Sequence, residues 1–153
     1  MAACKKSYSS YNRWDHRRIA LCNSIEEVRM EDVKRPLDGV KVVEMATFIA
    51  VPAVGRILAD MGAEVIKIES SKGDNLRFTA PNEGRPSDPF EDTNFDLENA
   101  NKKGIVLDMR SEKGKEVLFK LLDEADVFLT NWRPQALARQ NLTYESLKER
   151  FPG

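Results

Sequence analysis

From residue 40 onward the chain alternates between short apolar runs and longer stretches whose apolar residues recur every three or four positions. Residues 40–45, Val-Lys-Val-Val-Glu-Met, are rich in β-branched side chains and predict a strand. A loop at 46–51 leads to Pro52, whose fixed φ and missing N–H suit the first position of a helix. Ala53, Val54, Ile57, Leu58 and Met61 follow at helical spacing, with Arg56 and Asp60 on the other face. Gly62 sits where a helix-terminating glycine is expected, and 65–68 predict a second strand. Strand, helix and strand with short joins imply a βαβ unit with parallel strands. In such sheets ligands bind beyond the carboxyl ends of the strands, which makes the loop at 46–51 the first candidate site.

Downstream of Glu69 the pattern dissolves into a polar stretch broken by Gly73, Gly84, Pro81, Pro86 and Pro89, with a short helix expected at 94–99. Residues 105–109 predict a third strand, and Ser111 a cap for a helix striped by Val117, Leu118, Leu121, Leu122 and Ala125. Residues 126–130 predict a fourth strand. A short helix at 135–139 and another capped by Thr143 follow. The order β-α-β-loop-β-α-β-α-α is that of an α/β protein with an open, Rossmann-like parallel sheet. Helix faces and edges remain uncovered after the last helix, so the sheet is expected to be incomplete at its C-terminal end, with 35–153 the N-terminal part of a larger domain.

Residues 1–34 lack this order. They carry Lys5, Lys6, Arg13, Arg17 and Arg18 without the apolar run that a secretory signal needs, and are expected to be a disordered extension, with Met30 the natural start. The lone histidine, His16, lies there among arginines and is expected to be solvated. Cys4 and Cys22 have no metal-ligand spacing, so neither a metal nor a disulfide framework is expected, and a cytoplasmic setting fits best. With 24 basic and 25 acidic residues the formal charge is −1, which gives no reason to expect a nucleic-acid or membrane partner.

The first chemistry to consider is dinucleotide binding, because Glu69 ends the second strand where a ribose-binding acid would stand. The turn reads ATFIAVPAVGR, however, with Gly55 alone, so the glycine fingerprint that cradles a pyrophosphate is missing. No Walker, HExxH or GxSxG motif occurs. Three segments carry a different signal: LDGVKVVEMATFIAVPAVGRILADMGAEVIKIE, NANKKGIVLDMRSEKGKEVLFKLLDEADVFLTNWRPQAL and LTYESLKERFPG. Together they resemble the family III coenzyme A transferases, which include formyl-CoA, carnitine and bile-acid CoA transferases. FIAVPAVGR, ENANKK and LTNWRPQAL are most similar to enzymes that move CoA between 2-hydroxy acids, such as phenyllactate or 2-hydroxyisocaproate, and their enoyl-CoA esters.

The resemblance implies covalent catalysis. An aspartate carboxylate attacks an acyl-CoA thioester to give an anhydride, CoA thiolate returns to form an aspartyl-CoA thioester, and the acceptor acid opens it. In the family that aspartate follows the segment matching residues 151–153, so it is expected beyond Gly153 and the present segment alone is expected to be inactive. Asp38, Asp60, Asp108 and Asp126 read as turn, cap or solvent-facing residues. The resemblance further implies CoA as a substrate with no tightly bound cofactor, an acyl-CoA and a carboxylic acid as the other partners, and an intertwined homodimer.

Residue by residue, it places Ile49 and Ala50 at the thiol end of CoA, Leu107 and Arg110 around the nucleotide, and Asn131 and Trp132 at the end of the fourth strand. Ala136 and Arg139 fall on the following helix. Ile49 replaces a glutamine of formyl-CoA transferase and Val51 a glycine, departures that favour an apolar acyl group over formate or oxalate; Trp132 takes the place of a phenylalanine. Taken without the resemblance, Arg110 and Arg139 are equally compatible with solvated helix-end charges, Trp132 with a core aromatic and Asn131 with a turn. Three functional classes therefore stay open on the residues: a CoA transferase, a CoA-binding fragment without catalysis, and the remnant of a truncated gene.

Overall fold

The computed structural model describes residues 34–85 and 92–151. The expected extension, Met30, His16 and both cysteines lie outside the described residues. Within them, β1 (Lys41–Met45), β2 (Glu64–Glu69), β3 (Lys103–Val106) and β4 (Val127–Thr130) form one parallel sheet in the order β3-β2-β1-β4. The helices are α1 (Ala50–Asp60), α2 (Thr93–Asn99), α3 (Glu112–Asp123), α4 (Pro134–Arg139) and α5 (Tyr144–Arg150).

Strand periodicity distributes the core to two faces. Val42 and Val65 point one way and pack with Ala59 and Ala63 beneath α1. Val43, Met45 and Ile68 point the other way and pack with Leu118 and Leu122 of α3 and with Leu142 after α4. Both faces of β1 are therefore covered, as a parallel sheet requires. The ends of the helices follow local chemistry. Ser111 caps α3 by accepting from Gly114 N, Thr143 caps α5 by accepting from Ser146 N, and Asp92 caps α2 by accepting from Asn94 N and Phe95 N. Gly62 ends α1 with φ of +109°.

Most boundaries lie within a residue of the sequence pattern, and the larger or more telling differences have local causes. The third strand runs over Lys103–Val106 rather than 105–109, because β2 ends at Glu69, which pairs with Val106. Leu107 still donates its N–H to Glu69 O, and Asp108 O then accepts from Ser111 N to turn the chain into α3. Helix α1 starts at Ala50, two residues ahead of Pro52; the proline still falls in the first turn, where its missing N–H has no helical acceptor. Helix α4 starts at Pro134 itself. In the polar stretch after β2, Asp74 accepts from Leu76 N and caps a single 3-10 turn, Asn75–Phe78, with a second at Ala80–Glu83.

The α1 face also carries charge. Glu44 lies between Val42 and the end of β1 on that face, in register with Lys67 of β2, and both are buried. Lys67 Nζ lies 3.0 Å from Glu44 Oε1, and Lys102 Nζ lies 2.8 Å from Glu44 Oε2. Lys102 also donates to Pro52 O at 2.8 Å and to Asn99 Oδ1 at 2.9 Å. Burial pushes the Lys102 ammonium below its usual pKa, and the Glu44 carboxylate partly offsets that.

Helix α1 clears this cluster only because residue 55 is glycine: a Cβ there would fall on the Glu44 carboxylate and come within 3.2 Å of Lys102 Nζ. In an exposed helix interior Gly→Ala stabilises by about 1 kcal/mol. Gly55→Ala is expected to do the reverse, costing about 1–3 kcal/mol through overpacking. A fall in the urea midpoint with unchanged slope would show it.

Candidate functional site

The strand order reverses direction between β2-β1 and β1-β4, so the carboxyl ends of β1 and β4 flank a topological switch point. The register ends with Met45 opposite Thr130, and the chains then splay apart. Asn131 bridges them: Thr47 N donates to Asn131 Oδ1 at 3.1 Å, and Asn131 Nδ2 donates to Thr47 O at 2.7 Å. One side-chain amide thus satisfies both backbone groups of Thr47.

The next residue is strained. Phe48 has φ of +72°, a left-handed conformation that costs an L-residue about 1–2 kcal/mol. Its N–H donates to Asp74 Oδ1 at 3.0 Å. Asp74 is itself buried, and its Oδ2 lies 3.0 Å from Lys67 Nζ as an ion pair without aligned hydrogen-bond geometry. Lys67 also donates to Ala46 O at 3.0 Å. Ile49 follows as the cap of α1 with no side-chain cap bond, and the side chains of Phe48 and Ile49 are each nearly half exposed.

Next to this loop, on the α3 face of the sheet, lies a slot of about 280 Å³. Its apolar walls are Met45, Ile68, Leu107, Met109 and Trp132; its polar lining is Ser70, Ser71, Lys72 and Arg110 together with the carboxylates of Glu69 and Asp108, which are paired with Arg77 and Arg110. Gln140 also lines it, and its buried Oε1 has no hydrogen-bond partner among the described residues. An apolar slot with an unmet acceptor and cations at its margin suits a flat, partly polar group attached to phosphates. Among the described residues no group of His, Cys, Asp and Glu could hold a metal ion.

The sequence candidates divide accordingly. Leu107, Arg110 and Trp132 come together in the slot. Asn131 stands beside it as the splint across the switch point, and Ile49 and Ala50 begin α1 opposite. Ala136 and Arg139 lie on α4 outside the slot lining; Arg139 is exposed and makes no hydrogen bond or ion pair among the described residues. Arg110 is held by its neighbour, with Nε 3.0 Å from Asp108 Oδ1 and Nη2 3.1 Å from Oδ2. That pairing raises the Arg110 pKa and lowers that of Asp108. Lys72, Gln140, Asp74 and Phe48 join the candidate site only in the fold. Ser-Ser-Lys-Gly directly after β2 was a readable signal for Lys72, since it leaves the carboxyl end of a strand. Nothing in the local pattern marks the other three.

Glu69 is not available as a ribose ligand. Arg77 grips both its oxygens, at 2.9 and 2.8 Å, and Asp74 N donates to Oε2 at 2.9 Å. Arg77 in turn stacks 3.4 Å from the centre of the Phe95 ring, joining β2 to α2.

The architecture is that of the doubly wound α/β proteins, with the candidate site at the carboxyl ends of a parallel sheet. Residues 37–153 match the family model CoA-transferase family III, and the chain belongs to that family. It is 61% identical over 123 residues to the cinnamoyl-CoA:phenyllactate CoA-transferase of Clostridium sporogenes, covering 80% of this chain and 30% of that protein. It is 47% identical over 117 residues to the (R)-2-hydroxy-4-methylpentanoate CoA-transferase of Clostridioides difficile, covering 76% of this chain and 29% of that protein. The chain therefore spans about 30% of the length of these curated relatives. A crystal structure of a CAIB/BAIF family protein from Brucella suis superposes with a TM-score of 0.67 at 42% identity, over 76% of this chain and 31% of that one.

The Glu69–Arg77 pair has a pH signature. Burial pushes the Glu69 carboxyl up, but the Arg77 guanidinium and the Asp74 N–H outweigh it and hold the carboxyl below its ordinary value of 4.5. A depressed carboxyl stabilises the fold above its unfolded-state pKa, and that contribution is lost as pH falls through the folded value. Glu69→Gln is expected to melt lower than wild type at pH 7, with the gap closing as pH falls below the ordinary carboxyl value of 4.5 toward the depressed folded-state one. Thermal melts across that range measure it.

Proposed function

We propose that the chain is the CoA-binding part of a transferase moving CoA between an acyl-CoA and a carboxylic acid, with a 2-hydroxy acid such as phenyllactate or 2-hydroxyisocaproate as the acid. The observation that carries this reading is the slot at the carboxyl ends of the sheet, where Leu107, Arg110 and Trp132, three of the positions to which the resemblance assigns CoA contacts, converge. The adenine would lie in the slot, with Trp132 offering a π-face and Gln140 Oε1 an acceptor for the exocyclic amine. Lys72, Arg110 and Arg139 are the cations for the phosphates. The pantetheine arm would then run toward the switch point, where Ile49 and Ala50 open α1.

No aspartate among the described residues is offered as the nucleophile. Asp74 is buried against Lys67, Asp108 is paired with Arg110, and Asp38 and Asp60 are paired with Arg35 and Arg56. The resemblance implies that the covalent step falls to an aspartate beyond Gly153, and the homodimer it also implies is part of the same proposal. The two relatives named above, which act on phenyllactate and 2-hydroxy-4-methylpentanoate, support a 2-hydroxy acid as the substrate.

Calorimetry at fixed salt tests the reading. Purified 1–153 is expected to bind CoA saturably, and Trp132→Ala to weaken it by about tenfold, since stacking a base on an aromatic ring contributes ~1–3 kcal/mol. Arg139→Ala is expected to weaken CoA by roughly ten- to a hundredfold and dephospho-CoA less, because a charge-assisted bond to the 3′-phosphate is lost. Absence of CoA binding by the wild-type chain would overturn the proposal, and equal losses for both ligands would move Arg139 to the pyrophosphate.

A further inference from the structure

The backbone of 46–48 is held from three other segments, although the loop is exposed from Thr47 onward. Lys67 of β2 takes the carbonyl of Ala46, Asn131 after β4 takes both polar groups of Thr47, and Asp74 takes the amide of Phe48. Two of the three holding groups are buried charges, and each has further partners that fix it. Lys67 is shared with Glu44, and Asp74 also accepts from Leu76 N. A bulky aromatic residue persists at φ of +72° only where its surroundings over-determine the backbone, and here they do. The result is an unusual contrast: a clamped backbone whose Phe48 and Ile49 side chains stand 46% and 47% exposed.

We infer that Asp74 and Lys67 are a buried positioning pair that holds Phe48 left-handed, so that its ring, with Ile49, forms the apolar surface receiving the acyl end of an acyl-CoA. The inference rests on the reading that CoA binds along the carboxyl ends of the sheet. It assigns Phe48 as a specificity-determining residue and an apolar or aryl acyl chain as the class it selects. The loop fits that class, for Thr47 is its one polar side chain and no cation or carboxylate stands on it to meet a charged acyl group. An aromatic ring held at the edge of a crevice gives stacking area without having to order itself on binding.

Three ligands separate the possibilities in 1–153: phenylpropionyl-CoA, free CoA, and adenosine 3′,5′-bisphosphate, which lacks the pantetheine arm. Wild type is expected to bind phenylpropionyl-CoA about tenfold more tightly than CoA. Phe48→Gly, which tolerates the same φ, is expected to abolish that preference while leaving CoA and the bisphosphate within about twofold of wild type. Asp74→Asn is expected to weaken phenylpropionyl-CoA and leave the bisphosphate unchanged. A wild-type chain with no acyl preference, or a preference that survives in Phe48→Gly, would overturn the assignment of Phe48. Equal loss of all three ligands in a folded Asp74→Asn would reduce Asp74 to a structural role, and if that variant does not fold, Phe48→Gly decides. Failure of wild type to bind CoA or the bisphosphate at all would remove the binding reading and this inference with it, whereas CoA binding without acyl discrimination removes the inference alone.

Discussion

The buried cluster of Glu44, Lys67, Lys102 and Asp74 is the constraint from which the arrangement of the sheet's carboxyl end follows. Two carboxylates and two ammoniums cancel, which is the condition for removing four charges from water together. Such groups are weak evidence for net stability, since an apolar cluster of similar volume can do as well. What they supply is mutual dependence. Deleting one partner strands the others, at a cost of about 3–5 kcal/mol for a buried pair. Because Lys67 and Lys102 also hold the carbonyls of Ala46 and Pro52, the cluster ties β1, β2, the first turn of α1 and the end of α2 into one piece. The glycine at position 55 is part of the same arrangement, since any larger residue would collide with Glu44.

The sheet separates two tasks between its faces. On the α1 face, charge fixes the backbone of the loop that crosses the switch point. On the α3 face, Met45, Ile68 and Leu107 continue the apolar core upward until it opens as the slot beside Trp132. A residue's side of the pleat thus decides its work: Glu44 is structural cement under α1, and its neighbour Met45 is a wall of the slot. Asn131, at the boundary, joins the two by binding the loop from β4.

Among the described residues no helix is long and apolar enough to cross a membrane. Among the described residues the exposed apolar side chains are spread over α1, α2, α5, the first 3-10 turn and the strand margins, with Tyr144, Val106 and Leu97 the most exposed. β3 and β4 form the two edges of the sheet within the described residues, and each is only four residues long, a length that limits edge-to-edge pairing.

Much of the fold was legible because helices, strands and caps are local. The period of 53–61 gave α1, Ser111 and Thr143 marked their helices, and the β-branched runs marked β1, β2 and β4. The boundaries that shifted were those set by a partner: β3 ends where β2 ends, whatever the apolar content of Leu107 and Met109, which serve the core and the slot instead. The site was legible in part for the same reason. Asn131 and Trp132 were recognisable from a motif, but Asp74 lay in a stretch without period and is 26 residues from the amide it holds. Nothing in the local pattern distinguishes Gln140, which follows α4 and whose oxygen only the fold buries. Sequence alone determined the helices and strands, the open parallel α/β class and the family resemblance, because those are encoded in neighbours and spacings; the strand order came with the fold. The tertiary structure decided which charges are buried together, which backbone is held left-handed and which side chains share the slot, because each depends on contacts between residues far apart in the chain.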